Sequence, residues 1–217
     1  MPSFGPLYCE TGHAFGFIAE PVNFVSNAAI ILAAVLGFLA IRNMGGKRPY
    51  DLYLLTLVLF LNGIGSAWWH GFRTPMGLAF DVAPGIIFLF FFTYLWMRKL
   101  YGPIAGIAGL LGLIGAVWMS SLVIGSSELP RLFPVFGSVL VVGALFVAFT
   151  YKRFGKWFAM QGAIVLAFAL MAAICRTIDL TVCGILPIGT HFLWHILLST
   201  AAYFGIVFLI KLDRRQE

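Results

Sequence analysis

Three of the chain's four histidines, His70, His191 and His195, stand in strongly apolar stretches. An ionisable side chain in such a setting is costly, and so is a candidate for function. His191 and His195 are four residues apart, which on a helix points both rings from one face. That spacing lets one helix supply two ligands to a metal, and His70 can supply a third from elsewhere. Three imidazoles leave the fourth tetrahedral position open for water, the pattern of catalytic zinc; structural sites are closed by four protein ligands. Nitrogen ligands favour zinc, with iron, copper or nickel left open. His13 sits apart in the N-terminal arm and is not counted in the set.

Two further residues can join this chemistry. Asp81 is the one acid expected among the histidines. It can orient a ligating imidazole or take a proton from a metal-bound water. Both roles stay open at this point. Ser66 precedes His70 by four residues, hence one turn deeper on the same face. Its hydroxyl either bonds back to its own helix or donates to a developing oxyanion.

The elements that must carry these groups follow from composition. The chain has 217 residues, of which 61% are hydrophobic and 10% charged, against roughly 25% charged in a soluble domain. So few charges cannot cover a soluble surface of this size. A soluble monomer, a disordered chain and a disulfide-rich module are excluded. An all-α membrane protein remains. Seven apolar runs are expected near 24–42, 51–70, 79–97, 103–123, 133–150, 157–175 and 190–210, each long enough to cross a bilayer as a helix. They are too long and too evenly apolar for barrel strands. Short connections imply an antiparallel bundle of chain neighbours. The organisation expected is an arm over 1–23, a seven-transmembrane domain over 24–211 and a tail over 212–217. The arm lacks the pattern of a cleaved signal peptide.

The net charge of +6 reads as topology rather than affinity for nucleic acid. Arg42, Lys47, Arg48, Arg98, Lys99, Lys152, Arg153, Lys156, Lys211, Arg214 and Arg215 follow spans one, three, five and seven; Arg73, Arg131 and Arg176 fall on the other side. Positive loops stay cytoplasmic, so the N-terminus is expected outside and the C-terminus inside. His70, Asp81, His191 and His195 then meet near the outer surface, with Asp81 at the start of its span. Gly102, Gly106, Gly109, Gly112 and Gly115 form one stripe suited to close packing within the bundle. Arg176 and Asp179, three apart, are expected to form a local ion pair.

The segment Gly63-Ile-Gly-Ser-Ala-Trp-Trp-His70 with Asp81 and Pro84, the segment Glu20-Pro-Val-Asn23-Phe-Val-Ser26-Asn27, and His191-Phe-Leu-Trp-His195 occur in that order. Together they resemble the alkaline ceramidase family, within the CREST superfamily of seven-span metal hydrolases, over almost the whole chain. The resemblance implies a zinc-dependent amide hydrolase acting on ceramide, a lipid that enters from the bilayer. It implies His70, His191 and His195 as zinc ligands, Asp81 as the proton-handling carboxylate and Ser66 at the oxyanion. Val82 and Gly71-Phe72-Arg73-Thr74 depart from the family pattern, which leaves the exact sphingolipid open.

Some animal members bind calcium through an acidic arm. Tyr8-Cys9-Glu10 and Glu20 resemble part of it, but Leu7 replaces the leading aspartate and an asparagine ligand is missing. The remaining calcium candidates are Glu10 and Glu20, which otherwise read as a solvated arm and a helix-start acid. The resemblance also implies a disulfide between Cys9 and Cys183. Rival functions are zinc hydrolysis of another acylated lipid and a receptor of the adiponectin-receptor kind. The short loops leave little surface for a protein partner. A retinal pump lacks its lysine within 190–210. A bacterial inner membrane is the expected location, with the endoplasmic reticulum or Golgi membrane as the eukaryotic equivalent.

Overall fold

The structure, a computed structural model, describes residues 8–13, 17–44, 49–124 and 133–216. After a short 3-10 helix, Cys9–His13, the first crossing is built from α1 (Pro21–Ser26) and α2 (Ala28–Arg42). Then come α3 (Tyr50–Phe72), α4 (Pro75–Tyr101), α5 (Pro103–Ile124), α6 (Phe133–Phe154), α7 (Lys156–Ile178) and α8 (His191–Gln216). A 3-10 turn, Asp179–Thr181, leaves α7. The described residues contain seven helices long and apolar enough to cross a membrane. Each packs on its chain neighbour, and α8 closes the ring between α7 and α2 while also touching α3 and α4.

The helix starts explain the differences from the expected spans. Proline is suited to the first helical turn, where its missing N–H costs nothing. Pro21 opens α1 and Pro75 opens α4, where the Thr74 hydroxyl accepts from Gly77 N at 3.0 Å. Asp81 therefore lies well inside α4, not at its start. At the other end, α8 runs on through the expected tail to Gln216, with Leu212 fully buried. Lys47, Arg48 and Arg131 lie outside the described residues. The glycine stripe divides: Gly106 and Gly109 meet Tyr94, Met97 and Phe146, whereas Gly112 and Gly115 face open space.

Two contacts set α4 against α3. Pro84 has no N–H, so the carbonyl of Phe80, four residues earlier, lacks its helical donor. Gly65 packs on that carbonyl: a Cβ built on Gly65 falls 2.0 Å from Phe80 O. One residue on, Asn62 Nδ2 donates to Asp81 O at 2.6 Å. Gly65→Ala should force the helices apart and lower stability by about 1–3 kcal/mol, the usual cost of overpacking. Thermal unfolding in detergent would show it, and an unchanged midpoint would mean that α3 and α4 have slack at Gly65.

At the far end of the bundle, Lys99 enters the interior of the protein. It is almost fully buried, and its ammonium pairs with Asp213 of α8 and, at 3.5 Å, with Asp51 of α3. Arg98 also reaches Asp51, at 3.3 Å. The three helices joined there are α3, α4 and α8.

Candidate metal centre

The same three helices carry the polar groups at the other end. His70 lies in the last turn of α3, while His191 and His195 occupy the first turns of α8. All three are buried, with 0%, 3% and 2% of their surface exposed. Their ring centroids are 4.5–5.0 Å apart, and one ligand atom from each falls within 4.8 Å of the others. Three close histidines of this kind can hold a metal ion.

The hydrogen bonds decide which nitrogens face inward. His70 Nδ1 lies 2.5 Å from Glu20 Oε2. An ionised carboxylate only accepts, so Nδ1 carries the proton and Nε2 keeps its lone pair. His195 Nδ1 lies 2.7 Å from Ser26 Oγ, whose single hydrogen is given to Asn23 O at 2.8 Å. Ser26 therefore accepts from Nδ1–H, and His195 Nε2 is also a lone pair. The His70 and His191 Nε2 atoms stand 3.3 Å apart. Two nitrogens bound at 2.0–2.1 Å to one tetrahedral zinc would be separated by about 3.3–3.4 Å. The His70 and His195 lone pairs meet the His191 ring in a buried space, and three imidazoles so placed fit zinc.

Asp81 and Ser66 stand beside this cluster. The Ser66 side chain is buried, 2% exposed, one turn from His70 on α3, and Asp81 on α4 lies within electrostatic reach of both Ser66 and His70. Of the five residues expected to act together, the structure brings all five to one end of the bundle.

Glu20 and Ser26 fix two of the imidazoles, a role their place in the sequence does not reveal. Both are polar groups at the same end of the first span as the histidines; that shared level was the available signal. Glu20 is fully buried and Glu10 is 3% exposed, so neither belongs to a solvated arm. Glu10 accepts from the backbone N–H groups of Val22 and Asn23 and so caps α1. Glu20 accepts from Thr11 Oγ1, Asn23 Nδ2, Arg73 Nη1 and the His70 ring. Calcium takes six to eight oxygens. Among the buried side-chain oxygens of the described residues here, Asn23 Oδ1 and Asn27 Oδ1 are without a donor, and Arg73 puts a fixed cation on Glu20. These residues do not fit a calcium ion. Burial pushes the Glu20 carboxyl up, but the His70 ring and the Arg73 guanidinium hold it below the usual carboxylate range.

The expected Arg176–Asp179 ion pair does not form. α7 ends at Ile178, and Asp179 turns inward instead. Its carboxylate accepts from the backbone N–H groups of Cys9, Thr190 and His191, capping the start of α8. Gly189, at φ +67°, makes room: a Cβ there would fall 2.1 Å from Asp179 Oδ1. Arg176 lies over the Tyr8 ring, 4.9 Å from its centroid. Cys9 and Cys183 are joined in a disulfide, which ties the arm to the α7–α8 connection. Tyr8, next to Cys9, lies across His191 with ring centroids 4.1 Å apart.

A family model described as Ceramidase matches residues 7–217. No curated protein matches the sequence.

Proposed function

The chain belongs to the ceramidase family, and from that premise we propose that it is a zinc-dependent intramembrane amidase. Its reaction would hydrolyse the N-acyl bond of ceramide to a sphingoid base and a fatty acid. The observation that carries this reading is the convergence of histidine lone pairs beside Asp81 and Ser66.

In this proposal His70, His191 and His195 hold the ion, His70 and His195 through nitrogens set by Glu20 and Ser26. A bound zinc supplies a Lewis acid for the amide carbonyl and a water acidified to about neutral pH. Asp81 accepts the proton lost by the attacking water and gives it to the leaving nitrogen as the C–N bond breaks. While protonated, Asp81 becomes a hydrogen-bond donor. Ser66 can then accept from Asp81 and turn its own hydrogen toward the carbonyl oxygen, where negative charge develops. The substrate arrives from the bilayer, while Tyr8, held by the disulfide-tied Cys9, packs against His70 and His191. By the positive-inside rule, the histidine end of the bundle faces away from the cytoplasm. Residues 24–211 act as the hydrolase domain, with the arm contributing Tyr8, Glu10 and Glu20.

Purified protein incubated with ceramides, acyl-homoserine lactones and lysolipids should release free fatty acid from ceramides. Release from every lipid except ceramides would overturn the substrate assignment and leave a lipid hydrolase in place.

A further inference from the structure

His70 and Glu20 are joined twice: the Glu20 backbone N–H donates to His70 O at 3.0 Å, and the carboxylate meets His70 Nδ1. Ala19 N also donates to Gly71 O, at 2.9 Å. These backbone bonds fix where Glu20 begins but leave its carboxylate free to turn. They also supply no charge to balance a carboxylate with no exposed surface. An unbalanced buried charge is strongly destabilising.

Arg73 answers both needs. It ends α3 with φ 53°, the one non-glycine residue at positive φ among the described residues. That conformation is uncommon for a side chain of its size. It folds the guanidinium back over Trp69, 4.2 Å from the ring. From there Nη1 reaches Glu20 Oε1 at 2.8 Å. Thr11 and Asn23 complete the carboxylate. The planar, permanently charged guanidinium suits such a buried pair better than an ammonium.

We propose that Arg73 is a positioning residue for the metal centre, holding the Glu20 carboxylate on His70 and supplying from within the chain the cation that a second metal ion would otherwise provide. The inference rests on the reading of the three histidines as metal ligands. Removing a partner of a metal-bound histidine typically weakens metal binding about 10–100-fold. Arg73 acts one step further out, through Glu20, and the same loss follows if the carboxylate leaves His70.

The test is cobalt(II) binding to metal-stripped full-length protein in detergent, followed by visible absorption and by competition with zinc. Arg73→Met should weaken cobalt binding about tenfold or more. Ethylguanidinium added to Arg73→Ala should restore part of it. In a Glu20→Gln background, Arg73→Met should add little, because both changes break one link. Added calcium should leave wild-type cobalt affinity unchanged. Wild-type affinity in Arg73→Met, full additivity with Glu20→Gln, or a calcium-dependent shift would each overturn the proposal. Should Arg73→Met not fold, Arg73→Lys carries the same criterion: weaker binding is expected, and wild-type affinity overturns. His70→Ala separates the two readings. Retained metal there defeats the metal site itself. Lost metal there, with the Arg73 variants unchanged, defeats only the role of Arg73.

Discussion

His195→Ala is expected to lose zinc and amide turnover together. The side chain supplies one of the three close nitrogens, and alanine puts no ligand atom in its place. The fall in turnover should be no smaller than the about 10²–10⁴-fold that a lost proton-transfer group costs. Metal analysis of the wild type should give about one zinc per chain, matching three histidines around one open position. Ser26→Ala provides the graded comparison. It leaves the ligand and removes the hydroxyl that meets His195 Nδ1, so zinc affinity should fall about 10–100-fold. A His195→Ala protein that retains full zinc and full turnover would end the metal-centre reading.

Asp81→Asn is expected to separate the two properties that His195→Ala loses together. The amide keeps the size of the carboxylate and can still meet Ser66, so zinc content should be unchanged. It cannot take up a proton, so kcat should fall by about 10²–10⁴-fold. Ser66→Ala should retain zinc as well and lose about 10²–10³-fold, the usual effect of one oxyanion donor. Zinc content and steady-state turnover on the same preparations decide the matter. Full activity in Asp81→Asn would reduce the residue to structural support, and lost zinc would make it a partner of the ligands instead.

The histidines are legible in the sequence because ionisable groups are rare in these spans and because a four-residue spacing has one meaning on a helix. The groups that orient them are less so. Pro21 looks like an interruption before the first span, yet it occupies the first helical turn, so Glu20 sits buried beside His70 rather than in a solvated arm. Thr74-Pro75 is the same signal for α4, and it sets how far Asp81 lies within the helix. Arg176 and Asp179 have the spacing of a helical pair, but the helix stops between them and Asp179 takes backbone donors from distant segments. Long-range partners of this kind leave no local pattern. Lys99 is another example, since its acids lie on α3 and α8 and its own neighbourhood reads simply as a basic helix end.

That buried lysine has a consequence for the active end. Asp81 and Lys99 are eighteen residues apart on α4, and so are His195 and Asp213 on α8. Eighteen residues make about five full turns, so each helix presents its site residue and its charged residue along the same line. The two helices are thus clamped in rotational phase, with the Lys99–Asp213 pair as the index mark about 27 Å from the chemistry. One residue inserted anywhere between the marks would turn them about 100° out of phase. Either the lysine cluster or the metal site would then have to give way. The interior of α4 and α8 therefore tolerates exchange of lipid-facing side chains far better than any change in length.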